Sequence, residues 1–309
     1  MFSRASWRNS RVLFASCNVI FASTFQDCRR RADAECSANN KNEKDETDEL
    51  FQGQCLKRQL YTPKVPYPAW DYNWDGLMTP NTTLESLSKT TNVKGKTRHV
   101  IFIRHGQYDE NHLDDDKRKL TKLGRVQAHL TGQRLQIMLL GMGDKFGACN
   151  ITSLTSSDMT RAKETAQIIS QYLSHVPLRK PDAMLNEVLP APIIPVRPEI
   201  DATADIDAHA KTMDDVFHKY IYRSQDDTDE NDTHEFEIVV CHGNVIRYIF
   251  CRALQIPPEA WLRMSIFNCS MTYLMIKPNG YCSCRMLGDI GHLGYEHVTF
   301  SNGHGFVWS

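Results

Sequence analysis

No CxxC pair occurs among the ten cysteines of this 309-residue chain; the nearest two, Cys282 and Cys284, stand one residue apart. Zinc and thioredoxin-type readings are therefore weak. Ten cysteines in this length are also too sparse for a stapled secreted scaffold, so reduced thiols are expected. There is no glycine period, no heptad and no large net charge, which excludes collagen-like, coiled-coil and wholly disordered chains. With 36 Lys+Arg against 37 Asp+Glu the net charge is −1, whereas a dedicated nucleic-acid binder should show a strongly basic face. No nucleic-acid partner is expected. What is present is a 41% hydrophobic share, enough to bury one good-sized core in a domain of about 200 residues with appendages.

Charge is unevenly spread. Residues 1–31 carry six arginines (Arg4, Arg8, Arg11, Arg29, Arg30, Arg31), no lysine and one acid, Asp27. Between the arginine groups, Val12 to Phe25 is uncharged and mostly apolar. Arg-rich, Ser-containing and nearly acid-free is the composition of a mitochondrial address. At about 14 residues the run is shorter than the roughly 20 that span a bilayer as a helix. It could sit in the membrane with flanking Arg snorkelling to the head groups, or lie on the surface. The rival readings are an unstructured tail and a secretory signal, the latter disfavoured by the thiols and by the want of a clean small-x-small cleavage site. The expected organisation is a targeting segment and possible membrane anchor over 1–32, a flexible linker over 33–97 and a folded domain over 98–309.

Within the linker, Asn39 to Glu49 is charged and low in complexity and cannot bury enough to order itself. Pro63, Pro66 and Pro68 then lead to Trp70-Asp71-Tyr72-Asn73-Trp74-Asp75. Two tryptophans in six residues of polar linker suggest a docking peptide, since exposed Trp is costly and Trp is enriched at interface hot spots. The alternative is that both indoles pack on their own domain. The residues alone leave both readings open.

From residue 98 strands alternate with helices. Val100–Ile103 is a short continuous apolar run, as expected of a strand buried on both faces. Thr121 can cap a helix to about Leu140, with Leu123, Val126, Leu130, Leu135 and Met138 on one face. A strand over Ile151–Leu154 precedes a helix from about Met159 to Leu173. After a Pro-rich stretch come a helix over Asp207–Tyr222, a strand over Phe236–Cys241 and a helix over Asn244–Leu254. Met271–Ile276 and Tyr281–Leu287 flank Pro278-Asn279-Gly280, a hairpin signal. This alternation predicts an α/β fold with a mostly parallel sheet. The acidic run from Asp226 to Glu235 reads as a solvated loop.

In such a sheet, ligands sit at the carboxyl ends of the strands. The first strand ends in Arg104-His105-Gly106, the second leads to Ser156-Ser157-Asp158-Met159-Thr160-Arg161-Ala162, and the third ends in Cys241-His242-Gly243-Asn244. Two histidines, two arginines and helix N-termini facing one crevice describe an anion site that also carries a nucleophile. Arg161 in a first helical turn is poorly placed for the helix dipole, which suggests that an anion is expected there. Asn244 and Arg247 read as structural, a helix start and a surface charge. The cysteines read as buried small hydrophobes.

Arg104-His105-Gly106, Ser157-Asp158 with Arg161-Ala162 and Thr165, and His242-Gly243 stand in the order of the histidine phosphatase (phosphoglycerate mutase-like) superfamily, which residues 98–290 resemble. The resemblance implies a three-layer sandwich with a mostly parallel central sheet flanked by helices. It is closest to the superfamily's mitochondrial serine/threonine phosphatases, through Trp70–Asp75, His242–Tyr248, Cys251–Leu254 and Trp261–Arg263. That kinship implies phosphoserine and phosphothreonine proteins as substrates, a mitochondrial location, outer membrane included, and a stress-activated MAP kinase kinase kinase as partner. It also implies that Trp70, Asp71, Asn73, Trp74 and Asp75 assemble the domain into homo-oligomers, a dimer or higher.

His105 is then the nucleophile, since a neutral imidazole (reference pKa about 6.5) needs no separate base. Arg104 and Arg161 clamp phosphate oxygens, whose geometry guanidinium forks match; His242 and Gly243 complete the phosphate site. The covalent intermediate calls for no metal and no cofactor. A serine leaving group needs a proton from a carboxylic acid, which the family supplies in a Leu-x-Glu setting. Met184-Leu185-Asn186-Glu187 fits and makes Glu187 the candidate acid, with a solvated loop carboxylate as the alternative. Here the chain departs from its kin, which carry Arg and Gly where Asn186 and Val188 stand. Val in place of Gly would strain the loop if positive φ were needed. Two other functions stay in view: a small-molecule phosphatase or phosphoglycerate mutase, and a low-activity oligomeric scaffold for a signalling kinase.

Overall fold

The strand expected at Val100–Ile103 runs from Thr97 to Arg104 (β1) and is buried along its whole length. In this computed structural model, which describes residues 70–77, 95–146, 149–196, 206–224 and 234–300, β1 is the middle strand of five. It pairs in parallel with β3 (His234–Cys241), which pairs in parallel with β2 (Cys149–Ser156). On its other side lie β4 (Met271–Ile276) and then β5 (Cys282–Asp289), giving the order β2-β3-β1-β4-β5. Both of these pairings are antiparallel. The expected "mostly parallel" sheet is thus half right: two pairings run each way. A hairpin closed over Pro278–Gly280, with Gly280 at φ +84°, cannot join parallel strands, which need a long crossover.

Successive side chains of β1 point to opposite faces, so the sheet buries two cores. Val100 and Phe102 pack with Met213, Phe217, Val245 and Ile249, from α3 (Ile206–Tyr220) and α4 (Gly243–Ala253). Ile101 and Ile103 pack with Leu135, Ala162 and Ile169, from α1 (Lys122–Phe146) and α2 (Thr160–Ser170). Helices on both faces make the three layers.

Helix α1 starts where expected, the Thr121 hydroxyl accepting from Gly124 N–H at 3.0 Å. Its inward face differs from the expected one over the first turns. Val126 is 41% exposed, while Gly124, Gln127, Ala128 and Thr131 are buried. This end of α1 lies under a loop rather than under the sheet, and a close backbone neighbour selects small or hydrogen-bonding residues over bulky apolar ones.

Trp74 donates its indole N–H to Gly280 O at 2.8 Å and meets Phe217 edge-on at 5.8 Å. Asp75 pairs with buried Arg223, whose Nε is 2.6 Å away, and the Gln255 amide brackets the Asp71 backbone through two 2.7 Å hydrogen bonds. Trp70–Asp75 therefore packs on the domain that follows it. Among the described residues no helix is long and apolar enough to cross a membrane. The run Val12–Phe25 lies outside the described residues, as do residues 226–233 of the acidic run, whose last two residues open β3.

Candidate active site

Arg104 pairs with Cys241 across β1 and β3, so the two strands release His105 and His242 side by side, their ring centroids 5.1 Å apart. After His105 the chain passes so close to α1 that only glycine fits at two places. A Cβ on Gly106 would lie 2.6 Å from Gly124 O, and one on Gly124 would lie 1.9 Å from Gln107 O. The buried backbone of this loop is paired, as burial demands. Gly106 N–H donates to Thr165 Oγ1 at 3.0 Å, Gln107 N–H donates to Gln127 Oε1 at 2.8 Å, and His105 O accepts from Asn268 Nδ2 at 3.2 Å. The nucleophile candidate is fixed from both sides.

His105 Nδ1 lies 2.9 Å from Gly106 O, which can only accept, so Nδ1 holds the proton and Nε2 keeps its lone pair. Arg161 Nε sits 3.3 Å from that Nε2. Burial, then the charges of Arg161, His242 and Arg104, hold the imidazole well below the usual histidine range. It is neutral at pH 7. His242, fully buried, is pushed down in the same way by burial and by Arg161, Arg104 and Arg118.

Arg161 opens α2, and Asp115 answers its charge. One Asp115 oxygen accepts from Thr160 N–H and hydroxyl at 2.8 and 2.9 Å; the other lies 3.4 Å from Arg161 Nη1. The acid that the helix dipole favours thus comes from another segment. Arg104 donates to Ile266 O at 2.6 Å. Glu187 Oε1 accepts from Asn244 N–H at 3.0 Å, and its Oε2 lies 3.5 Å from His242 Nδ1. The Val188 carbonyl accepts from Asn244 Nδ2 at 3.2 Å. Among the described residues the non-glycine positive φ angles are at Gln255 and Cys269, so valine at 188 strains nothing.

Arg104, His105, Arg161, Glu187 and Gly243 line one cavity of about 350 Å³, with His242 packed behind them. Tyr108, Arg118, Arg247 and Phe300 line it too, and none of these was foreseen. Arg247 corrects the expectation of a surface charge. It is 7% exposed, donates to Met264 O at 2.7 Å and Asn244 Oδ1 at 3.0 Å, and is pushed down to about 10 by burial and Arg104. No local signal marked it: Asn244, Arg247 and Arg252 share one arc of α4, the pattern of a surface helix. Tyr108 stands edge-on to His105 at 5.1 Å, and Arg161 and Arg118 lie over its ring at 4.7 and 5.0 Å. Phe300 lies 5.2 Å from the Arg104 guanidinium. Isolated aromatics in loops carry no local signal.

Donor atoms of His105, Glu187 and His242 lie within 4.8 Å of one another, a spacing that could hold a metal ion. The guanidinium groups of Arg104, Arg161, Arg118 and Arg247 around the same space oppose a cation and suit an oxyanion. The arrangement offers an anion clamp with a neutral nitrogen nucleophile at its floor.

The family model of the histidine phosphatase superfamily (branch 1) matches residues 100–188 and 203–289, and the chain belongs to that superfamily. A Caenorhabditis briggsae protein named serine/threonine-protein phosphatase Pgam5, mitochondrial, is 37% identical over 277 residues, covering 83% of this chain and 92% of that one. The Xenopus laevis protein named serine/threonine-protein phosphatase PGAM5, mitochondrial, is 41% identical over 254 residues, covering 74% and 83%. Among solved structures, a phosphoglycerate mutase from Plasmodium falciparum is 34% identical, covers 67% of this chain and 100% of its own, and superposes with a TM-score of 0.43.

Proposed function

We propose that this chain is a mitochondrial protein serine/threonine phosphatase that works through a phosphohistidine on His105. The observation that carries this is a neutral, rigidly held imidazole that lines a cavity with Arg104 and Arg161, its Nε2 accepting from Arg161 Nε at 3.3 Å. A phosphoserine or phosphothreonine enters with its non-bridging oxygens on the two guanidinium groups, and Nε2 attacks phosphorus in line. The serine oxygen leaves with a proton from Glu187. Water then attacks the phosphohistidine, returns a proton to Glu187 and releases phosphate. His242 and the Gly243 end of α4 support the phosphoryl oxygens.

Phosphopeptide turnover by wild type beside His105→Ala, with 32P trapping on His105, tests this reading. Label at His105 and turnover lost in the variant support it. Absent turnover in wild type would favour the scaffold, and turnover of 3-phosphoglycerate with bisphosphoglycerate would favour the mutase.

The same reading assigns residues 1–32 to tethering at the mitochondrial membrane, the outer one, and 33–97 to a linker ahead of the catalytic domain. Relatives named mitochondrial support the location. Trp70, Asp71, Asn73, Trp74 and Asp75 serve homo-oligomer assembly, and a stress-activated MAP kinase kinase kinase is the partner. Removing residues 1–80 should lower both sedimentation coefficient and rate; equal values after trimming would count against assembly.

A further inference from the structure

The hydrogen bonds around His242, packed behind the cavity wall, fix which of its ring nitrogens holds the proton. The Asp158 backbone N–H, which can only donate, lies 3.1 Å from Asn186 Oδ1, so that oxygen is an acceptor. Ser157 Oγ lies 2.7 Å from the same oxygen and must spend its hydrogen there. The Ser157 oxygen also accepts from Met159 N–H at 3.2 Å. His242 Nε2, 2.8 Å from Ser157 Oγ, therefore has to donate. A neutral His242 keeps its one proton on Nε2, and its buried Nδ1 is left with a lone pair and no hydrogen-bond partner, 3.5 Å from a Glu187 oxygen.

A bare lone pair repels phosphate oxygens. We infer that His242 meets the phosphoryl group as an imidazolium, taking up one proton from solvent at Nδ1 as the anion binds, with Asn186 and Ser157 as the positioning residues that impose this. The inference rests on the reading of the cavity as a phosphoryl site. The charged groups facing His242 are Arg104 from β1, Arg161 from α2, Arg118 beyond the 3₁₀ turn at Asp115–Lys117, and Glu187; neighbouring His105 is neutral, and the N-terminal end of α4 adds its positive dipole. In the empty site the cations keep the ring neutral. A bound dianion reverses the local sign and admits the proton.

Tungstate, a dianion throughout the neutral range, is the probe, with the full-length protein. Calorimetry in buffers of different ionisation enthalpy should count about one proton taken up, and affinity should fall about tenfold per pH unit as pH rises. Histidine-selective 15N spectra should show Nδ1 of His242 gaining a proton on binding while Nε2 stays protonated. In Asn186→Ala the Ser157 hydroxyl is released to donate to Nε2, the neutral ring can carry its proton on Nδ1, and the slope should flatten to under about threefold per unit. This slope does not depend on how much protein is folded. Glu187→Gln should keep the wild-type slope; losing it would place the proton on Glu187 and overturn the assignment. Tungstate binding without proton uptake would overturn the inference alone, and absence of tungstate binding would overturn the phosphoryl site as well.

Discussion

Strand β1 begins with Arg98-His99 and ends with Arg104-His105, and the two pairs have opposite fates. At the first end every charge meets a protein partner. Arg98 pairs with Glu237, donates to Tyr220 O and Tyr222 O at 3.2 and 3.0 Å, and lies over the Tyr222 ring at 3.4 Å. His99 contacts Tyr273 Oη at 2.5 Å and His234 Nδ1 at 2.7 Å, and stacks on Phe236 at 4.2 Å. At the other end Arg104 and His105 line a cavity with Arg161, Arg118 and Arg247, where cations outnumber carboxylates. Burial of a charge is tolerated when a partner is supplied. One end is closed off by Glu237 and aromatic rings, and the other lines an open cavity.

The largest break in this comparison comes from the histidines. His105→Ala should lower kcat/KM on a phosphopeptide by about 10³-fold or more, since it removes the nitrogen proposed to form the covalent intermediate. His99→Phe should leave it within about threefold, because His99 touches no reacting atom. Equal losses in steady-state rates would erase the contrast.

The arginines come next. Arg98→Gln strands the Glu237 carboxylate and should cost about 3 kcal/mol in urea unfolding while the rate per folded molecule holds. Arg104→Gln should cost about 10²-fold in kcat/KM, with Tm within a few degrees. A thermal melt and a rate on each variant decide the matter.

Acid should weaken both ends. His99 is pushed down to about 3 by burial and His234, and His105 and His242 are held low by burial and nearby arginines. Below their ordinary pKa the unfolded chain binds protons that the folded one refuses, so stability falls with falling pH. Each histidine contributes a slope of about 1.4 kcal/mol per pH unit below about pH 6.5. Denaturant midpoints measured from pH 7 downward should lose one such slope in His99→Phe. A saturating oxyanion should relieve the decline at the site end alone.

The smallest effect concerns Val188. Because its φ is not positive, Val188→Gly should only add backbone entropy to the unfolded state, costing about 1 kcal/mol in chemical unfolding and leaving the rate within about twofold. A large gain in rate would mean that valine does strain the acid loop.

Much of the site was legible because its residues travel in short motifs at strand ends. Arg104-His105-Gly106, Arg161 and His242-Gly243 needed only the α/β alternation to bring them to one crevice. The local pattern could not separate Arg98-His99 from Arg104-His105, since the same dipeptide flanks the same apolar run. Nor did it give the inward face of α1, where Gly124 and Gln127 meet the loop at Gln107, or the cavity side of Arg247. These depend on what approaches from elsewhere in the chain.

Hydrophobic periodicity and strand-end chemistry, both local properties, determined the layers, the element order and the strand-end residues that are candidates for nucleophile and clamp. Only the tertiary structure decided which buried charges are enclosed by protein and which line a cavity, which imidazole nitrogen holds the proton, and that the sheet closes with an antiparallel hairpin. Those outcomes turn on contacts between residues far apart in sequence, whose distances and hydrogen-bond directions exist only once the chain is packed.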